Sequence, residues 1–259
     1  MKKTEWIKSP QEISGIRASG HELARIMQAL IALVQPGVTA AAIDTAAEAL
    51  MRKVGATPIF KGYGREWGKP FPASICFSRN AEVVHGIPLE SVVIRLGDVV
   101  KLDIGMRYQG FVTDMARTVV VGTPTDLQAR LIAATEEAFH AGLATIRPDS
   151  RMEDYARAAE AVVAEAGFHT VQDLVGHGVG RELHEKPDIP NYSRSGLPNF
   201  RFAAGMVVAL EPMVNVGTHE VDLAADQWTF VSADGSLSAH YENTILVTET
   251  GTEVLTATE

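Results

Sequence analysis

A chain of 259 residues with 46% hydrophobic and 21% charged content can bury a full core and lies near the upper size of one domain. Its formal net charge of −9, without any run of Lys or Arg, argues against general affinity for nucleic acid or anionic membrane, both of which require basic surface. One cysteine forms no internal disulfide, and no apolar stretch follows Lys2 and Lys3, so neither a disulfide scaffold nor a secretory leader is expected. No uncharged apolar run approaches membrane-spanning length, and a cytoplasmic protein is the expectation.

Ser9-Pro10-Gln11-Glu12 joins a capping hydroxyl, a proline at the first helical position and a glutamate three residues past the cap. Ile13, Ile16, Gly20, Leu23, Met27, Leu30 and Val34 follow at helical spacing, and Pro36-Gly37 is the stop. A second helix is predicted from Thr39 to Gly55, burying Ile43, Ala46, Leu50 and Val54. Strands are predicted at 92–94, 99–104 and 118–121, where Val and Ile dominate and Gly or Asp stands at the bounds. Thr125-Asp126-Leu127-Gln128 opens a third helix that ends before Pro148. Ser150-Arg151-Met152-Glu153 reads as the capping box of a fourth, running to about Gly167. Strands at 207–210 and 244–247 complete the series, and 191–200 is the least patterned loop. No linker or low-complexity segment divides the chain, so one domain over 1–259 is expected.

The pattern occurs twice. Gly97-Asp98-Val99-Val100-Lys101-Leu102-Asp103 matches Gly205-Met206-Val207-Val208-Ala209-Leu210-Glu211. Pro36, Ala46-Ala47-Glu48-Ala49 and Gly55 recur 112 positions later as Pro148, Ala158-Ala159-Glu160-Ala161 and Gly167. Two similar α/β halves, about 9–122 and 123–250, are expected to face each other. Between them would converge His85, Asp103, Asp114, His177, His184, Glu211 and Glu242.

Two divalent cations a few ångströms apart need bridging carboxylates, a few terminal ligands and an open position for water. Asp, Asp, His, Glu and Glu supply mostly oxygen donors, which suit Mn, Fe or Co and tolerate Zn. The 11-residue spacing of Asp103 and Asp114 allows strand, turn through Tyr108-Gln109-Gly110, and return strand. Asp114 and Glu242 each precede a Val/Ile-rich run and read as strand starts. Glu211 is the choice for a proton shuttle on the attacking water. Taken singly, each acid could be a strand-end or cap residue, His177 a turn histidine and His184 a loop residue. The repeated carboxylates and glycine-flanked histidines together favour a metal site.

These residues resemble a known family. Val83-Val84-His85-Gly86-Ile87-Pro88, the Asp103/Asp114 pair, Gly176 to Pro187, Glu211-Pro212-Met213 and Ser238-Ala239-His240-Tyr241-Glu242 are similar to the motifs of type I methionine aminopeptidases, in the pita-bread metallopeptidase superfamily. The resemblance spans about 13–247. It implies an α+β pita-bread fold, a pseudo-twofold curved antiparallel sheet with two outer helix pairs. It implies two divalent metal ions (Co, Mn, Fe or Zn) on Asp103, Asp114, His177, Glu211 and Glu242, with Asp103 and Glu242 bridging. A dinuclear metal-bound hydroxide would attack the bond after an N-terminal methionine, while His85 and His184 contact the scissile amide. The side-chain pocket would comprise Phe71, Cys76 and Trp228; Phe60 and Tyr63 are less sharply indicated because 64–69 forms a longer loop than many members have. The expected partners are peptide or nascent-chain N-termini, with transient ribosome association, no direct nucleic acid and no membrane, acting as a monomer.

His240 stands where many members have Gln, Asn243 where many have His, and Leu183 where an aromatic is common. Two rival readings share the fold: an X-Pro dipeptidase or aminopeptidase, and a non-catalytic peptide-binding relative. The HGIP motif and the short lead-in before the first helix lean against the first. The intact set of ligands leans against the second.

Overall fold

The computed structural model describes residues 5–197 and 199–257; Met1 to Thr4, on which the leader reading partly rests, and Pro198 of the 191–200 loop lie outside the described residues. Helix α1 (Pro10–Leu33) starts as the sequence predicts: Ser9 Oγ accepts the Glu12 N–H, and the Glu12 carboxylate accepts the Ser9 N–H. Helix α2 (Ala40–Lys53) buries Ala40, Ile43, Ala47 and Met51, whereas Ala46, Leu50 and Val54 are only half-buried. Both stripes satisfy helical spacing in this alanine-rich stretch, so periodicity alone does not choose between them.

Strands β1 (Thr57–Pro58), β2 (Ile75–Arg79), β3 (Glu82–Val84), β4 (Val99–Tyr108) and β5 (Phe111–Val120) follow. Residues 92–94 do not form the predicted strand. Ala40 N–H donates to Val92 O and Ile94 N–H to Val38 O, a single bridge to the short segment between α1 and α2. Helices α3 (Asp126–Thr145) and α4 (Met152–Glu165) form the second pair. The predicted box at Ser150 is displaced by one residue. Ser150 Oγ turns back to Arg147, and the Asp154 carboxylate instead accepts the Arg151 N–H at 3.1 Å.

The remaining strands are β6 (His169–Thr170), β7 (Gly176–Gly178), β8 (Glu185–Ile189), β9 (Val207–Leu210), β10 (Met213–Asn215), β11 (Val221–Leu223), β12 (Phe230–Ser232), β13 (Ser238–His240), β14 (Glu242–Val247) and β15 (Thr252–Val254). The main sheet runs β1-β4-β5-β14-β9-β7-β8, with β2 also on β4 and β15 on β14. Every pairing in it is antiparallel, and β5–β14 joins the two halves of the chain. Two small sheets, β13-β10-β6 and β11-β12-β3, flank it.

Apolar side chains of α1 and α2 pack with β2 and β4, and those of α3 and α4 with β9, β10, β13 and β14. This is the expected mixed α/β architecture of two helix pairs on a curved antiparallel sheet. Among the described residues no helix is long and apolar enough to cross a membrane.

Helix α1 approaches the C-terminal segment closely at Gly20, where an added Cβ would lie 2.2 Å from the Leu255 carbonyl oxygen. Gly20→Ala would gain about 1 kcal/mol in helix propensity. The clash is with backbone, which cannot swing aside, and overpacking of this kind costs about 1–3 kcal/mol. Net destabilisation, read as a lower denaturant midpoint, is the expected outcome; a raised midpoint would show that α1 moves freely over Leu255.

Candidate metal centre and cleft

The strand register fixes where the acids stand. Gln109 (φ 50°) and Gly110 (φ 90°) both take the left-handed backbone of a tight two-residue hairpin between β4 and β5. That turn sets Asp103 opposite Ala116 and Asp114 opposite Gly105, so both carboxylates project from one face of neighbouring strands. Glu242, first residue of β14, also pairs with Ala116. Asp103, Ala116 and Glu242 thus form one row in which the small middle residue leaves room between two acids.

Glu242 is a strand start as predicted, but Asp114 is the fourth residue of β5. The Val/Ile-rich run marks only the far half of that strand; the near half begins at the turn. Thr244 holds Asp114 in place through its hydroxyl, which accepts the Asp114 N–H and donates to the Asp114 carbonyl.

His177 is the middle residue of β7, between β9 and β8. Its flanking glycines have a steric cause: a Cβ on Gly176 would lie 2.5 Å from Ala209 O, and one on Gly178 2.5 Å from Lys186 O. Glu211 directly follows β9. His85 follows β3 with a left-handed φ of 59°, and His184 lies in the β7–β8 connection.

All seven residues, with Phe71, Cys76 and Trp228, line one cavity. Ligand atoms of Asp114, His177 and Glu242 lie within 4.8 Å of one another. Glu211 Oε1 is 3.5 Å from His177 Nε2. Asp103 and Glu211 lie outside this triad but line the same cavity. Asp103 Oδ1, Asp114 Oδ1 and Glu242 Oε1 are buried without any hydrogen-bond partner, an arrangement that is costly unless a cation meets them. The donors therefore fit a divalent metal centre.

Electrostatics agree. Burial pushes the Asp103 carboxyl up to about 7, and burial with mutual repulsion pushes Asp114, Glu211 and Glu242 well above the carboxylate range. Burial lowers His177 to about 3 and His85 to about 4, and lowers His184 as well, so all three are neutral near pH 7. Neutral His177 donates from Nδ1 to Gly178 O at 2.9 Å, which leaves the Nε2 lone pair for a metal. Burial raises the Cys76 thiol far above neutrality, so it stays an uncharged SH.

Phe71 and Trp228 meet edge to face at 5.3 Å and, with Cys76 and Phe60, form an apolar wall. Phe60, which reads from sequence as packing, lies on this wall, and Leu183 does too. Tyr63, only weakly indicated by sequence, places its hydroxyl 2.6 Å from His184 Nδ1. Phe230 packs on His85 at 5.7 Å, a contact that no sequence motif signals. His240, noted as a departure, is fully buried with Nε2 3.7 Å from Glu211 Oε2 and 3.9 Å from Glu242 Oε2. Asn243 accepts from Arg117 at 2.8 Å and from the Thr256 hydroxyl at 3.0 Å, behind the acids.

Comparison with known proteins matches this architecture. The profile of metallopeptidase family M24 matches residues 14–249. The methionine aminopeptidase of Clostridium acetobutylicum is 42% identical over 98% of this chain and 99% of its own. The crystal structure of methionine aminopeptidase from Thermotoga maritima superposes with a TM-score of 0.92 at 39% identity, covering 97% of this chain and 99% of that one. The prolidase from Pyrococcus furiosus is more distant: TM-score 0.78, 25% identity, 100% of this chain but 67% of that one. By profile, full-length identity and fold, the chain belongs to metallopeptidase family M24 and, within it, to the methionine aminopeptidases.

Proposed function

We propose that this protein is a metal-dependent exopeptidase that removes methionine from the N-terminus of peptides and nascent proteins. One observation carries the reading: seven residues scattered from position 85 to 242 line a single cleft that has an apolar wall. Asp103, Asp114, His177, Glu211 and Glu242 would hold two divalent ions drawn from Co, Mn, Fe and Zn. Bound there, such ions supply Lewis acidity and acidify the attacking water.

The chain's own residues do the rest. Glu211 takes a proton from the attacking water and returns it to the departing amine. His85 and His184, neutral and therefore able to donate from one ring nitrogen while accepting at the other, stabilise the charge that develops on the scissile amide. Phe71, Cys76 and Trp228 receive the methionine side chain, with thioether–aromatic contact adding about 0.3–1.5 kcal/mol. We further infer one catalytic domain over 1–259, built of halves at about 9–122 and 123–250. It would act as a cytoplasmic monomer, touching the ribosome only transiently. The charge of −9 and a lone buried thiol support that setting.

Three outcomes test this. Apoprotein given Mn, Co, Fe or Zn separately should release methionine from Met-Ala-Ser, cut a Met-Lys peptide at least about tenfold more slowly, and leave an Ala-Pro peptide intact. Cleavage of the proline peptide alone would move the enzyme to the proline-directed branch. Glu211→Gln, assayed with bound metal quantified, should lower kcat by about 10²–10⁴-fold; near-normal turnover with the ions in place would remove Glu211 from proton transfer. His184→Ala should lower kcat by about 100-fold at unchanged metal content, whereas loss of metal would make His184 a ligand.

A further inference from the structure

We propose that Tyr63 is a positioning residue that fixes His184 as its Nε2–H tautomer. The proposal rests on the reading that His184 donates a hydrogen bond to the reacting amide. An uncharged imidazole carries one N–H, and the bond made at one nitrogen decides which nitrogen presents a proton at the other. His184 Nδ1 lies 2.6 Å from the Tyr63 hydroxyl, at hydrogen-bond distance, and that hydroxyl has no other hydrogen bond among the described residues. A phenol at ordinary pH has a proton to donate, and burial with nearby Glu66 raises its pKa further. With O–H directed at Nδ1, the proton of the ring must sit on Nε2. Reversed, Nε2 would be an acceptor and of no use against developing negative charge.

The chain builds a dedicated support for this phenol. Gly62 N–H donates to Phe71 O at 2.8 Å and Phe71 N–H to Tyr63 O at 2.7 Å, so residues 63–71 close into a loop stapled at its base. Inside it the short 3-10 turn Arg65–Trp67 brings the Trp67 ring edge to face against Tyr63, at 5.5 Å. Tyr63 in turn meets the His184 ring edge to face at 5.0 Å. At Gly64, with φ of 77°, an added Cβ would lie 3.0 Å from both Trp228 and Trp67, so the loop folds down onto the cleft wall. The longer 64–69 loop noted in the sequence therefore acts as a buttress: it holds Trp67, which holds Tyr63, which holds His184.

The test is nitrogen-15 imidazole NMR on the Zn-loaded enzyme, with the His184 signal identified by its absence in His184→Ala. The wild type should show His184 as the Nε2–H form. Tyr63→Phe, which keeps the ring but removes the O–H, should convert it to a mixture of tautomers and lower kcat about tenfold at unchanged zinc content and thermal midpoint. Trp67→Ala should shift the tautomer balance in the same direction by a smaller amount. An Nδ1–H signal in the wild type, or an unaltered tautomer in Tyr63→Phe, overturns the proposal. A normal kcat in His184→Ala, with the tautomer as stated, would instead overturn only the catalytic role assigned to His184.

Discussion

Four carboxylates drawn into one buried cleft are the constraint around which this molecule is arranged. Burying even one charged acid is costly, and burying several together adds repulsion that no rearrangement of solvent can screen. The upward shifts of Asp103, Asp114, Glu211 and Glu242 have that cost as their cause. Such a cluster persists only on a frame stiff enough to hold it. Here the frame is backbone: Asp103 and Asp114 are fixed by a ten-residue hairpin ladder, Glu242 by its pairing to β5, and Glu211 by its position at the end of β9. Packing of two helix pairs on the sheet stabilises the frame at a distance from the acids.

Two of the protein's own cations, buried Lys101 and half-buried Arg117, make no ion pair with this cluster. Lys101 is 1% exposed, yet its ammonium donates to the carbonyls of Asn80 and Ser238, and burial lowers its pKa to about 7. Arg117 donates to the carbonyls of Ala116 and Glu242 and to Asn243 Oδ1, and its guanidinium stacks 4.3 Å over Tyr241. Both tie strands together rather than forming ion pairs with the acids. Had either reached a carboxylate, it would have satisfied the oxygen a metal needs. The orphaned oxygens of Asp103, Asp114 and Glu242 are the consequence.

Much of this was legible in the sequence, and the limits have physical causes. Caps on α1 and α3, and the turn at Gln109-Gly110, are local: a few adjacent residues decide them, so the chain announces them. That seven residues converge on one cleft is legible because metal chemistry draws on a few side-chain types, here in repeated surroundings. Errors arose where tertiary contact chose between equivalent local options. The buried stripe of α2, the cap before α4 and the bridge at Val93 are of this kind. Asp114 reads from sequence as a strand start because only the far half of β5 is Val/Ile-rich, whereas the strand begins at Phe111. Tyr63 and Phe230 carry no motif; their importance is a matter of which ring they face across the fold.

The shape of the cleft bears on why the enzyme should act at chain ends. Its inner part is walled by buried Phe60, Phe71 and Cys76. Its outer part opens into a groove that shares Tyr63, His85, His177, His184, Glu211 and Trp228 with the inner cavity. On the proposed function, a peptide would place its first side chain against this wall and trail the rest into the groove. The acids line the same inner part, so a bound chain end would lie beside them. The wall that would receive a first side chain and the acids that fit a metal are thus parts of one cleft.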